Sequence, residues 1–143
     1  ALPIDRRSAD GVELPEELRV VWVLREVGGH SYDEIAVEAV EDATLWLLDR
    51  KADADAADDV LAAADAYLKL MGDVIGGWMV AKGALAAKAR LDAGDGDPAW
   101  LQGKLDLYEI YAANVLGHAS SRLAAVGQGG EVLKRMSVEA LAG

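Results

Sequence analysis

Residues 55–93 constrain the fold more than any other part of the chain. Apolar side chains recur in this stretch at alternating spacings of three and four residues, a pattern typical of an amphipathic helix. The stripe is interrupted only where Lys82 occupies the expected position. Its members are Leu61, Ala64, Leu68, Met71, Ile75, Trp78, Leu85 and Ala89. A helix of this length would extend for about 55 Å, so we expect other helices to pack along this stripe.

The middle of this helix has small or apolar residues on almost every side, at positions 74–87. A helix without a polar face is normally buried all round. Glycine in a helix interior costs about 1 kcal/mol relative to alanine, so several glycines together indicate close approach of another backbone. The alternative is an alanine-rich helix that breaks at its paired glycines. The residues that we predict to form a packing or interface surface are Gly72, Gly76, Gly77, Trp78 and Gly83.

A helix is also predicted before this long one. Ser31 and Glu34 have the spacing of a capping box, and the helix that follows should reach about Lys51. Residues 18–27 are predicted to be helical too, although their valines would suit a strand, and residues 1–12 are expected to be irregular. The helical bundle domain should therefore cover residues 13–143. The inner face of the helix after Ser31 should consist of Ala36, Ala39, Val40, Ala43, Trp46 and Leu47.

After the long helix, a short turn leads to a second long helical segment. Asp55 is expected to cap the start of the long helix and Gly94 to end it, while Asp97 and Pro98 suit an N-cap and a first helical residue. The next helix should span residues 98–126. Because short connections join antiparallel helices, the predicted fold is all-α, an antiparallel bundle of about four helices around one long central hairpin. The inner stripe of this second segment is Leu101, Leu105, Tyr108, Ala112, Val115 and Ala119.

The acidity of the chain excludes several classes of partner. Its net charge is -11 and its pI is near 4.5, which argues against nucleic acid or an anionic membrane. The most apolar window, residues 70–81, is short and contains a charge, so no membrane span is predicted. There is no cysteine, hence no disulfide, thiol nucleophile or cysteine-bound metal. No signal peptide opens the chain, and a cytoplasmic location is expected.

Two histidines limit the catalytic chemistry that the sequence supports. Neither His30 nor His118 has a serine or a second histidine at a spacing that indicates a triad. A di-iron bundle needs a glutamate three residues before each histidine, and those positions hold Val27 and Val115. We therefore predict structural or surface roles for both histidines and no catalytic residue in this chain.

Two groups of acidic residues contain oxygen ligands of the kind that bind cations. Glu34, Glu38 and Glu41 follow one another along a helix, but without histidine ligands they favour a solvated face. The aspartates within residues 92–97 resemble a calcium loop, yet the glycine at loop position six and the acid at position twelve are out of register. Turn and cap chemistry explains them better. Neither a metal site nor a cofactor site is predicted from residue types and spacing.

Ordered aromatic and glycine blocks occupy the centre of the long helix, at residues 66–82. They are preceded by an Ala-Thr-x-Trp-Leu-like segment at residues 43–48 and followed by an acidic, glycine-containing turn at residues 92–97. A helix rich in tyrosine and alanine then covers residues 104–114. From about Glu41 onward, this order resembles the C-terminal helical extension of one branch of bacterial acyl-CoA dehydrogenases. The blocks in the long helix are Tyr67-Leu68, Gly72 and Gly76-Gly77-Trp78.

This resemblance implies a flavin enzyme of fatty-acid metabolism, in which a glutamate removes the α proton of an acyl-CoA and FAD takes the β hydride. Those parts belong to other domains of the enzyme, and residues 1–30 do not resemble them. No catalytic glutamate and no FAD contact is therefore assigned to this chain, and FAD is expected in the full-length enzyme.

The implied role is a C-terminal packing and oligomerisation domain that is not catalytic by itself. Its partner would be the remainder of the acyl-CoA dehydrogenase polypeptide, and a homo-oligomer is expected. The alternative is a free-standing helical protein-interaction or scaffold module.

Overall fold

The computed structural model describes residues 31–143, and all regular elements in this part of the chain are helical. The predicted all-α fold class is confirmed. The predicted irregular segment 1–12, the predicted helix at 18–27, His30 and the side chain of Ser31 lie outside the described residues. Short 3₁₀ turns occur at Ala54–Ala56 and Leu116–His118. The α-helices are α1 (Ser31–Ala52), α2 (Ala57–Asp92), α3 (Pro98–Asn114), α4 (Ala119–Gly127), α5 (Glu131–Arg135) and α6 (Val138–Ala142).

Helix α2 is the centre of the bundle and packs against α1, α3 and α4. Its contacts with α3 show that the two run antiparallel. Gly76 lies against Tyr111, whereas Met79 and Gly83, further along α2, share a groove with Leu107 at an earlier position of α3. The predicted central hairpin is therefore present. Helices α5 and α6 contribute no buried residue.

Turn and capping residues lie at both ends of α2. Asp53 accepts a hydrogen bond from the backbone N–H of Asp55 at 2.9 Å and caps the 3₁₀ turn that precedes the helix. The prediction that Asp55 caps α2 is wrong, because this turn displaces the helix start. Gly94 ends α2 with a left-handed φ of 67°, the conformation that glycine adopts without a Cβ clash. Asp97 then caps α3 by accepting from the N–H of Ala99 at 3.0 Å.

The predicted single helix over residues 98–126 is interrupted after Asn114. The side-chain amide of Asn114 donates to the carbonyl of Ile110 at 2.8 Å, and such local bonds compete with the helical ladder. Asparagine and glycine are also weak helix formers, and Gly117 follows within the 3₁₀ turn. The interruption places Leu116 fully inside the core, against Gly77 of α2.

Several large apolar residues of α2 lie away from its buried side. Leu61 and Leu68 are 73% and 72% exposed, and Ile75 is 47% exposed. The prediction that this stripe faces the bundle is therefore wrong for Leu61, Leu68 and Ile75. By contrast, Met71 and Trp78 of the same stripe are half-buried against the core. Small side chains predominate on the buried side of α2 because they let three neighbouring helices approach closely. The buried residues of α2 are Ala63, Leu70, Val74, Gly77, Ala81, Ala84 and Ala87.

The inner faces predicted for the other long helices are confirmed. On α1, the four predicted small residues are buried, and Trp46 and Leu47 are half-buried against the same core. On α3 and the start of α4, Leu105 and Val115 are half-buried and the rest of the predicted stripe is buried. Helical periodicity was sufficient to find these inner stripes, although α1 and α3 also expose large apolar side chains. They include Leu45 and Leu48 on α1, and Leu107 and Ile110 on α3.

Alanine in place of Gly83 should stabilise the fold by up to about 1 kcal/mol, because a Cβ at that position meets no other atom within 4 Å. Alanine in place of Gly76 should destabilise it, because the Cβ collides with the hydroxyl of Tyr111. That hydroxyl donates to the carbonyl of Asp73 at 3.0 Å and would have to move. Urea unfolding measures both effects. Shifts of the same sign in the two variants would contradict the described packing of α3 on α2.

Candidate interaction surface

The outward side of α2 presents large apolar side chains to solvent. We call this side the outer face of α2; its large apolar members are Leu61, Leu68, Ile75 and Met79. Their spacings of seven, seven and four residues place them on one side of the helix, opposite its buried side. Met79 is 65% exposed. Exposed apolar residues aligned on one side of a helix indicate an interaction surface more strongly than scattered ones do.

The outer face continues onto α3 across a groove. Met79, Val80 and Gly83 of α2 line this groove together with Lys104 and Leu107 of α3, and its volume is about 250 Å³. Because Met79 belongs to the outer face and Leu107 is also exposed, the apolar surface extends beyond a single helix. The large exposed apolar side chains of α3 are Trp100, Leu107 and Ile110.

The glycines predicted for the packing surface occupy two different environments. Gly76 and Gly77 pack inside the bundle, where a Cβ would meet the side chains of Tyr111 and Leu116 respectively. A Cβ at Gly72 or Gly83 would meet no other atom within 4 Å, and both residues are exposed. The structure thus gives the inner pair a packing role, and the interface role of the outer pair stays a prediction.

Trp78, the fifth residue of that predicted set, lies half-buried between the two sides of α2. The Nζ atom of Lys82 lies 4.7 Å from the centroid of its ring, close enough for a cation–π contact. Its indole Nε1 is buried and has no acceptor among the described residues. Its position next to Lys82 places a positive charge beside the outer face.

A buried acid and a phenol tie α1 to α3. Asp33 and Tyr108 are each 2% exposed, and the hydroxyl of Tyr108 donates to Oδ2 of Asp33. Burial above all, and then the hydrogen bond and the charge of Asp33, raise the pKa of Tyr108 far above its ordinary value. The phenol therefore stays protonated and acts as a donor. The sequence held a signal for this pair, since Asp33 stands three residues before Ala36 on the inner face of α1.

A second polar tie joins α2 to α3 and α4. Arg122 of α4 donates to the carboxylate of Asp73, while the hydroxyl of Tyr111 donates to the backbone carbonyl of Asp73. Burial, and then the charge of Asp73, raise the pKa of Tyr111. These groups are engaged with one another and hold helices together, and they do not converge on an open pocket.

A metal ion or a flavin in the described part of the chain would need ligating side chains or a pocket of sufficient size. No group of three histidine or carboxylate side chains among residues 31–143 is arranged to hold a metal ion, and His118 is exposed on its 3₁₀ turn. The groove at Met79 is smaller than the roughly 300–1,000 Å³ of typical ligand pockets, and FAD is a large dinucleotide. No step of flavin chemistry is derived from this groove, and the expectation that this chain holds no FAD stays a prediction.

One helical stretch of the described chain, Ala54–Asp92, is long and apolar enough to cross a membrane by length and composition alone. Core helices of soluble bundles share these properties, and this stretch packs against α1, α3 and α4. The expectation that the chain has no membrane partner stays a prediction.

The family model described as "Acetyl-CoA dehydrogenase C-terminal like" matches residues 34–137. The chain belongs to this family. The match to this acyl-CoA dehydrogenase C-terminal family extends from α1 to beyond α5 and includes the whole outer face of α2. It confirms the resemblance drawn from the aromatic and glycine blocks. No curated protein and no solved structure matches the chain.

Phenylalanine in place of Tyr108 should destabilise this C-terminal domain by about 1–3 kcal/mol, because the buried carboxylate of Asp33 loses its phenol donor. The free energy of unfolding in urea measures the loss. Tyr32→Phe is the matched control, since Tyr32 is exposed, and its effect should stay within about 0.5 kcal/mol. Equal effects of the two substitutions would contradict a structural role for the Asp33–Tyr108 pair.

Tyr108 should also make the fold sensitive to alkaline pH. Because its pKa is raised in the folded state, the stability it contributes is complete below its unfolded pKa of about 10. That stability is lost as the pH rises from about 10 toward the raised folded pKa. The free energy of unfolding should therefore fall more steeply above about pH 10 in the native chain than in Tyr108→Phe. Identical slopes would contradict the assignment.

Proposed function

We propose that this chain is the C-terminal helical packing and oligomerisation domain of an FAD-dependent acyl-CoA dehydrogenase-like oxidoreductase, and that it is not catalytic by itself. The observation that carries the proposal is the exposed apolar outer face of α2 in a chain of this family. Such a face is costly in water at about 25 cal/mol per Å². A domain that docks against another protein surface removes this cost.

The polar groups of the described chain support a structural role. Asp33 with Tyr108, and Asp73 with Arg122, each join two helices of the bundle. In an active site we would expect a titratable group in an open cleft with a pKa near the working pH. The pKa of Tyr108 is instead raised further from neutral pH, and its side chain is closed off from solvent.

The proposed division of labour leaves the chemistry to the remainder of the polypeptide. That part would bind FAD and the acyl-CoA and supply the glutamate base, while this domain would supply packing surface. The assembly would be a cytoplasmic homo-oligomer without a nucleic-acid or membrane partner. The acidity of the chain supports the exclusion of nucleic acid.

The mass of the native gene product tests this function. An antibody against this chain should detect, in the cell that makes it, a polypeptide several times heavier than 15.1 kDa. When that polypeptide is purified, it should carry flavin absorbance, whereas the 143-residue chain alone should carry none. A flavin-free band at 15.1 kDa would contradict the proposal. It would favour a free-standing interaction or scaffold module.

A further inference from the structure

The exposed side of α2 carries a coiled-coil repeat. We call the full set of these positions the outer seam; it consists of Leu61, Asp65, Leu68, Gly72, Ile75, Met79, Lys82 and Ala86. Every one of these residues is exposed, and the spacing alternates four and three residues throughout. This is the spacing with which two helices pack side by side along a seam. The described helices use the other side of α2, so the outer seam is uncovered within the described part of the chain.

The residues of the outer seam complement themselves when a second copy runs in the opposite direction. In an antiparallel pair, residues near the start of the outer seam on one helix lie opposite residues near its end on the other helix. With the two-fold axis between residues 73 and 74, bulky residues meet small ones, an acid meets a base, and the remaining layer joins two long apolar side chains. The layers are Leu61 with Ala86, Asp65 with Lys82, Leu68 with Met79, and Gly72 with Ile75.

A parallel pair lacks this complementarity. It would place Asp65 opposite Asp65 and Lys82 opposite Lys82, and like charges across an interface are strongly unfavourable. It would also place Gly72 opposite Gly72 and leave a gap between the helices. Size and charge therefore both select the antiparallel arrangement.

We propose that the outer seam of α2 pairs antiparallel with the outer seam of a second copy of this chain. This inference rests on the oligomerisation role proposed above and names its surface and its partner. The seam is about 37 Å long, and at Met79 it borders the groove that leads to Leu107. The second copy would therefore contact α3 as well as α2. This contact increases the area buried on each partner, which is roughly 800 Å² in stable complexes.

The charges of the outer seam are available for such a pair. Asp65 is bridged to Lys69 at 2.8 Å within α2, and both side chains are largely exposed. Exposed bridges of this kind contribute little, so Asp65 can exchange Lys69 for Lys82 of the second copy. Lys82, also a member of the outer seam, has its Nζ atom 4.7 Å from the centroid of the Trp78 ring.

A charge exchange tests the pairing. Asp65→Lys and Lys82→Asp each create two like-charge layers in the antiparallel dimer, so each should raise the dissociation constant at least about tenfold in sedimentation equilibrium. The double variant carries both changes and should return close to the native value. Rescue is decisive because the single changes shift the net charge in opposite directions, and general charge repulsion would therefore affect them oppositely.

Matched controls distinguish the effect of charges in the outer seam from the effect of net charge on association. Asp106→Lys and Lys88→Asp make the same charge changes at exposed positions outside the outer seam, and neither should alter association. Far-UV circular dichroism should show native helix content in all variants. Weakening by the controls as large as that by the seam variants, or a double variant without rescue, would overturn the pairing.

Disulfide trapping tests the orientation. The chain has no cysteine, so a Leu68→Cys/Met79→Cys variant should form a covalent dimer on oxidation without background. The two positions are about 16 Å apart along one helix, too far for a bond within one chain. Neither single variant should cross-link. Efficient cross-linking of Leu68→Cys alone would indicate a parallel pair and overturn the proposal.

The pairing and the proposed function fail in different ways. A chain that stays monomeric and binds phosphatidylcholine vesicles, or one that stays monomeric without binding them, overturns the pairing, whatever the mass of the native polypeptide. A native product of 15.1 kDa that shows charge rescue contradicts the flavoenzyme role but keeps the pairing.

Discussion

The close approach of the hairpin to Gly76 and Gly77 is the contact on which the bundle depends. Glycine at these positions lets the hydroxyl of Tyr111 reach the carbonyl of Asp73 and lets Leu116 insert fully into the core. Each glycine weakens the isolated helix by about 1 kcal/mol relative to alanine. The packing of α3 and of the 3₁₀ turn offsets this cost, and α2 runs through both glycines as one continuous helix.

This constraint also explains why α2 has two apolar sides. Small residues on its inner side let three neighbouring helices approach, and several of its larger apolar residues point outward. Leu61, Leu68 and Met79 are therefore not needed for the core of this chain. Their exposure connects the packing of the bundle with the proposed role in association of a chain of this acyl-CoA dehydrogenase C-terminal family.

Much of the fold could be predicted from spacing because the inner stripes of α1 and α3 recur at helical intervals. The stop at Gly94, the cap at Asp97 and the inner faces of α1 and α3 followed from local chemistry. The orientation of α2 did not, since periodicity cannot say which of two apolar sides faces inward. The burial of Asp33 depends on Tyr108, which is distant in sequence, and the interruption at Asn114 depends on a side-chain bond within an otherwise regular helical pattern. Of the predicted surface, spacing found the glycines but not their separation into inner and outer pairs.

The central claim is that α2 turns the side with Leu70 and Val74 toward the bundle and the side with Leu61, Leu68 and Met79 toward solvent. Hydroxyl-radical footprinting with mass spectrometry tests this orientation most directly. At chain concentrations low enough for the monomer to dominate, Leu61, Leu68 and Met79 should be labelled readily. Leu70 and Val74, which lie on the buried side of the same helix, should stay protected until the chain is unfolded. Protection of Leu68 together with labelling of Leu70 would mean that α2 is turned over in the bundle and would contradict the account.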